Sequence, residues 1–162
     1  MLSADVKKFV EDNISLIEDC AWDSVYRNAL EELSIECISE LTQAILSIGE
    51  DPLDMLDYIP SYYLCDANIE TFSIPDHIKY LSDGCFSNST LKTITLPEGV
   101  REIGMNAFRD CWKLEECIIP PSVTYVYYNA FYPPSDKLTI VCKKGSYAEQ
   151  YAINCNIKVK YY

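Results

Sequence analysis

One histidine, eight cysteines and a few paired carboxylates are the side chains best suited to chemistry, and their spacing assembles no familiar reaction centre. His77 follows Pro75-Asp76 and reads as an exposed turn residue rather than a general base. Nucleophilic catalysis by a Cys–His pair needs an activated thiol beside its base, and no cysteine near His77 sits in such a motif. Cys111 and Cys117 are six residues apart, Cys37 and Cys65 stand alone, and the chain has no Cys-x-x-Cys pair to suit zinc. Asp54/Asp57 and Glu115/Glu116 read as solvated surface acids. Five scattered glycines build no loop that could cradle a phosphate. These patterns predict no catalytic residue, no cofactor and no metal.

The elements that carry these residues fall into two groups, divided near residue 57. Residues 1–57 form an acidic helical segment. Val6, Phe9, Val10, Ile14 and Ile17 recur at helical spacing behind a cap candidate, Ser3. Trp22, Val25, Tyr26, Ala29 and Leu30 give a second stripe, and Ile38, Leu41, Ile45 and Ile48 a third, between Ser34 and Gly49. Asp51-Pro52 reads as the start of a short fourth helix with Leu53 and Leu56. The segment holds 14 acidic side chains against three basic ones, a net of −11, whereas residues 58–162 carry 11 acids and 10 bases. Its acids lie opposite the apolar stripes, and their charge disfavours nucleic acid and anionic membranes as partners.

After Tyr58 a tandem repeat takes over. Ile74-Pro75, Leu96-Pro97 and Ile119-Pro120 are spaced by 22 and 23 residues. Cys85-Phe86, Ala107-Phe108 and Ala130-Phe131 keep the same steps, and Leu91, Leu114 and Leu138 open the following turns. Within a turn, Ile94 and Leu96 point inward and Thr93 and Thr95 outward at the strand period of two. Proline then ends the strand, having no amide hydrogen for the ladder. Cys111 and Cys117 fall at apolar positions of this repeat, so they are expected in the core as small hydrophobes. The pattern begins weakly at Ile59-Pro60 and Ile69-x-x-Phe72. A capping box at Ser146–Glu149 opens a helix over 146–152, and Ile157, Val159 and Tyr161 alternate as a closing strand.

The phrase Leu96-Pro97…Val100…Ile103-Gly104…Ala107-Phe108…Cys111…Leu114 resembles the BspA-like leucine-rich repeat. The tail from Thr139 to Ala152 is similar to that family's closing strand and capping helix. The resemblance covers about residues 58–160; residues 1–57 resemble no family. It implies a short solenoid of parallel short strands, about four turns of 22–23 residues; capped by the N-terminal bundle of three or four helices that the apolar stripes predict, the chain is expected to be an α+β fold. The resemblance also implies a binding scaffold, and short versions with a helical head are associated with bacterial or phage genomes. Met1-Leu2-Ser3-Ala4-Asp5 lacks the basic region and apolar run of an export signal, no stretch reaches membrane-spanning length, and unpaired cysteines suit a reducing compartment. A cytoplasmic protein is expected.

Two surfaces are candidates for holding a protein partner. One is the outward strand strip of Thr71 and Ser73, Thr93 and Thr95, Glu116 and Ile118, then Thr139 and Val141. The other is a tyrosine cluster, Tyr125, Tyr127, Tyr128 and Tyr132, because tyrosine offers large contact area at little rotamer cost; a second copy of the chain is one partner it would suit. The leading functional reading is a non-catalytic protein-interaction scaffold. The alternative places function on the acidic face of Glu31, Glu32, Glu36 and Glu40, mimicking nucleic-acid phosphates to inhibit a nuclease or defence complex through its basic surface.

Overall fold

A computed structural model describes residues 3–18, 22–47, 52–54 and 56–162. The expectations placed on Ile48, Gly49 and Asp51, and on the side chains of Trp22 and Glu36, lie outside the described residues. The head contains α1 (Ala4–Asp12), α2 (Ile14–Glu18), α3 (Trp22–Glu32) and α4 (Ile35–Ser47). The expected Ser3 cap forms, its hydroxyl accepting the Val6 amide at 3.2 Å, and the Ser34 hydroxyl accepts the Cys37 amide at 3.4 Å in the same way. The first apolar stripe is divided between α1 and α2 at Asn13. There the buried Asn13 amide donates to the Phe9 carbonyl and its oxygen accepts from Asn28, a local bonding choice that competes with continued helix.

The short helix expected after Pro52 is instead a single 3₁₀ turn, Pro52–Asp54. The Leu53 carbonyl accepts from His77 Nε2 at 2.7 Å, so a group that a longer helix would use internally is spent on the solenoid. Leu53 itself is buried.

The repeats supply β1 (Tyr58–Ile59), β2 (Tyr80–Leu81), β3 (Thr93–Thr95), β4 (Glu102–Ile103), β5 (Glu116–Ile119), β6 (Tyr125–Val126) and β7 (Thr139–Cys142), then α5 (Tyr147–Asn154) and β8 (Lys158–Tyr161). They form two parallel sheets, ordered β1-β2-β4-β6 and β3-β5-β7-β8. Counting a bridge between Ser73 and Thr95, the second sheet has five rungs. A third flank consists of turns joined by backbone bonds, from Leu64 N–H to Cys85 O at 2.7 Å, Phe86 N–H to Ala107 O at 2.9 Å and Phe108 N–H to Ala130 O at 2.7 Å.

Between the flanks runs the core. The rings of Phe86 and Phe108 stack at 5.3 Å and those of Phe108 and Phe131 at 4.7 Å; Phe72 and Tyr151 continue the column at either end. Each coil buries its apolar residues only against its neighbours, so the end coils need covers. α5 covers one end with Ala148, Tyr151 and Ala152, all buried. At the other, head and solenoid share one apolar core, with Tyr26 of α3 set 6.2 Å from the buried ring of Tyr63. Among the described residues no helix is long and apolar enough to cross a membrane.

Candidate protein-interaction surfaces

The chemistry-bearing residues are occupied structurally. His77 is exposed, as expected of a turn residue, and its ring donates to the Leu53 carbonyl, tying the head's last turn to the solenoid. Among the described cysteines, Cys65, Cys85, Cys111, Cys117 and Cys142 are buried thiols, and Cys37 and Cys155 are half-buried; all seven are unpaired. Burial pushes the Cys65 thiol up to about 12, reinforced by its hydrogen bond to Asp66, and burial also raises Cys85, Cys111 and Cys117. A protonated, buried thiol is neither a nucleophile nor a metal ligand. Among the described residues no three His, Cys, Asp or Glu side chains converge as metal ligands would.

The second sheet places the expected strand strip in two columns. Thr93, Glu116 and Thr139 align, as do Thr95, Ile118 and Val141, with Ser73 beside Thr95. Thr71, Ser73, Thr93 and Thr95 are exposed and line a shallow groove with Phe72 and Pro97. Glu116 and Ile118 are half-buried, and Val141 is only 6% exposed. The closing strand explains that gradient: Lys160 pairs with Val141 in register and its Nζ reaches back to Glu116 at 3.2 Å, so its aliphatic stem crosses β7.

The tyrosines expected as one cluster divide between two places. Tyr125 points outward from β6, edge-on to Tyr127 at 5.0 Å and 6.1 Å from Tyr147. Tyr128 and Tyr132, 79% and 67% exposed, instead line a groove at the C-terminal end with Phe131, Tyr151 and Ile157. Sheet register explains the first group: Tyr80, Glu102 and Tyr125 occupy one outward column of the first sheet, with Tyr58 at its start. Tyr80, Tyr147 and the exposed Trp112 are surface aromatics that sequence reasoning missed. For Tyr80 the signal is present in the sequence, since it stands 22 residues before Glu102, its partner in the first sheet.

The described acids of the expected face differ in their surroundings. Glu31 and Glu32 are exposed on α3, but Glu40 is half-buried and accepts the Ser3 amide at 2.8 Å. Lys8 pairs with Asp12 within α1.

Parallel rungs, the prolines Pro75, Pro97 and Pro120 and the stacked rings of Phe86, Phe108 and Phe131 define the repeat. A family model described as the BspA type leucine-rich repeat region matches residues 57–161 in six copies. The chain belongs to the BspA-type leucine-rich-repeat family. Comparison with characterised proteins and with solved structures finds no match for it. The family match begins at Asp57, where the helical head gives way to β1, so the BspA-type repeats account for the solenoid and leave the head outside it.

Proposed function

We propose that this BspA-type protein is a non-catalytic scaffold that holds a protein partner along the flank of its first sheet. The observation that carries the reading is the outward column Tyr80–Glu102–Tyr125, with Tyr127 and Tyr147 packed beside it. Exposed rings on a strand framework contribute contact area without an ordering cost, which is why tyrosine concentrates at interface hot spots. The unpaired thiols support a reducing compartment such as the cytoplasm.

Affinity capture at low and high salt tests this against the acidic-mimic alternative. Contacts that imitate phosphates weaken steeply with salt. A partner retained at high salt, lost on Tyr125→Ala with Tyr127→Ala and kept on Glu31→Gln with Glu32→Gln supports the scaffold. A partner lost with the glutamates or with salt, and indifferent to the tyrosines, overturns it.

A further inference from the structure

The same flank contains a recess whose chemistry selects a ligand group, an inference that rests on the scaffold reading. Beside the Tyr80–Glu102–Tyr125 column, the next positions of the three strands' continuations are Ser82, Gly104 and Tyr127. Their backbones continue the ladder, with Gly104 N–H on Leu81 O at 2.7 Å and Tyr127 N–H on Ile103 O at 3.0 Å. Small residues therefore floor a groove that Tyr80 and Tyr127 wall, about 330 Å³ in volume, with Glu102 and Asp83 contributing carboxylates to its lining. The low floor is required: a Cβ on Gly104 would lie 2.7 Å from both Asp83 Oδ1 and the Leu81 carbonyl.

Two acids lie within strands. Glu116 pairs with Lys160, whereas the Glu102 carboxylate takes no hydrogen bond or ion pair among the described residues. Asp83 gives one oxygen to the Met105 amide at 2.8 Å, leaving the other for a ligand. The chain's own neighbouring cations are committed elsewhere. Lys79 Nζ sits 2.9 Å from Asp57, and Arg101 Nη1 donates to the carbonyls of Glu98 and Val100. Two tyrosine rings and two acidic residues thus border a space whose lining includes no lysine or arginine of this protein.

We propose that this recess receives a lysine or arginine side chain from an extended segment of the partner protein. A cation is drawn to the negative face of an aromatic ring, and its N–H groups make their strongest hydrogen bonds to carboxylates. The residue next to the seated cation then lies over Tyr125, which adds apolar contact. An acidic segment would meet Glu102 and Asp83 unscreened.

Calorimetric titration of the full chain with a short peptide alternating lysine and serine, and with matched glutamine and glutamate peptides, tests the assignment. In salt of about 150 mM, charges beyond about 8 Å are largely screened, and no head residue lines the recess. The lysine peptide is expected to bind about tenfold or more tighter than the glutamine peptide, and the glutamate peptide not at all. Glu102→Gln, which keeps the side-chain shape, and Tyr80→Leu with Tyr127→Leu should each weaken the lysine peptide about fivefold or more. Glu31→Gln with Glu32→Gln, and Trp112→Ala on another flank, should leave it within about twofold.

Equal binding of lysine and glutamine peptides overturns the proposal. So does an equal loss from the head variant, which would mean charge attraction without a site. Free arginine or tetramethylammonium binding as tightly as the peptide overturns the partner segment in favour of a small-cation site. Loss of partner capture on Tyr125→Ala with Tyr127→Ala, combined with no peptide discrimination, overturns the basic side chain while leaving the scaffold reading standing.

Discussion

Phe108 has a stacked ring on either side and almost no solvent exposure, so its removal leaves a void that neither neighbour can close. Phe108→Ala is expected to cost about 3–5 kcal/mol, read as a lower urea midpoint with an unchanged slope. Gly84 is bound by a different constraint. Its φ is +64°, and an added Cβ would lie 2.5 Å from the Tyr62 ring. Gly84→Ala should therefore destabilise by about 1–3 kcal/mol. The cysteines give a test by reactivity. Because burial raises the buried thiols, alkylation of the folded protein at mildly alkaline pH should label Cys37 and Cys155 first and Cys65, Cys85, Cys111 and Cys117 only on unfolding, as mass mapping of the labelled peptides would show. Stability from the raised Cys65 thiol is complete below the unfolded value of about 8.5 and declines as pH climbs from there towards about 12, and the raised Cys85, Cys111 and Cys117 thiols act in the same direction. The core positions of Cys111 and Cys117 were legible from repeat register alone. That of Tyr63 was not, because its coil departs from the repeat phrase.

At the scale of elements, α5 closes the solenoid. Ser146 accepts the Glu149 amide, and the Glu149 carboxylate takes the Gly145 amide and the Tyr161 hydroxyl, so one residue links helix cap to closing strand. Ser146→Ala should cost about 1 kcal/mol. The Tyr161 hydroxyl first, and then the Gly145 amide, hold the Glu149 carboxyl below its usual range. A depressed folded value means the contribution is present above the unfolded value of about 4.3 and is lost as pH falls through the folded one. Hydrogen exchange across residues 147–154 should accordingly quicken on acidification in the natural protein and less so in Glu149→Gln, which lacks the titrating group. The capping box was readable because its signals are local. The division of the first helical stripe was not, since Asn13 acts through Asn28, 15 residues away.

Across the whole molecule, head and solenoid bury their surfaces against each other through Tyr26, Tyr63 and Ile59, and His77 adds a polar tie. A shared core predicts that the two segments unfold as one cooperative unit. Tyr63→Ala should lower a single unfolding transition followed by circular dichroism and by tyrosine fluorescence alike; separate midpoints for the helical and strand signals would show independent domains. Deleting residues 1–57 should uncover Ile59 and Tyr63 and yield an aggregating solenoid on size-exclusion chromatography.

The sequence by itself determined the solenoid, its register and its phenylalanine column, because each of these follows from spacing: a residue 22 or 23 positions on is a neighbour one rung away. It also determined that Cys111 and Cys117 serve the core, since their places in the repeat are apolar ones. Tertiary structure alone decided which outward residues share a surface. Tyr80 and Tyr125 are 45 residues apart and come together only because β4 lies between their strands, while Tyr128, next but two to Tyr125, turns to another side. It alone decided that Val141 is covered and Glu102 left unpaired, because both depend on where lysines from other coils reach. Spacing specifies a neighbour in the ladder, but the exposure of a side chain depends on everything that folds over it.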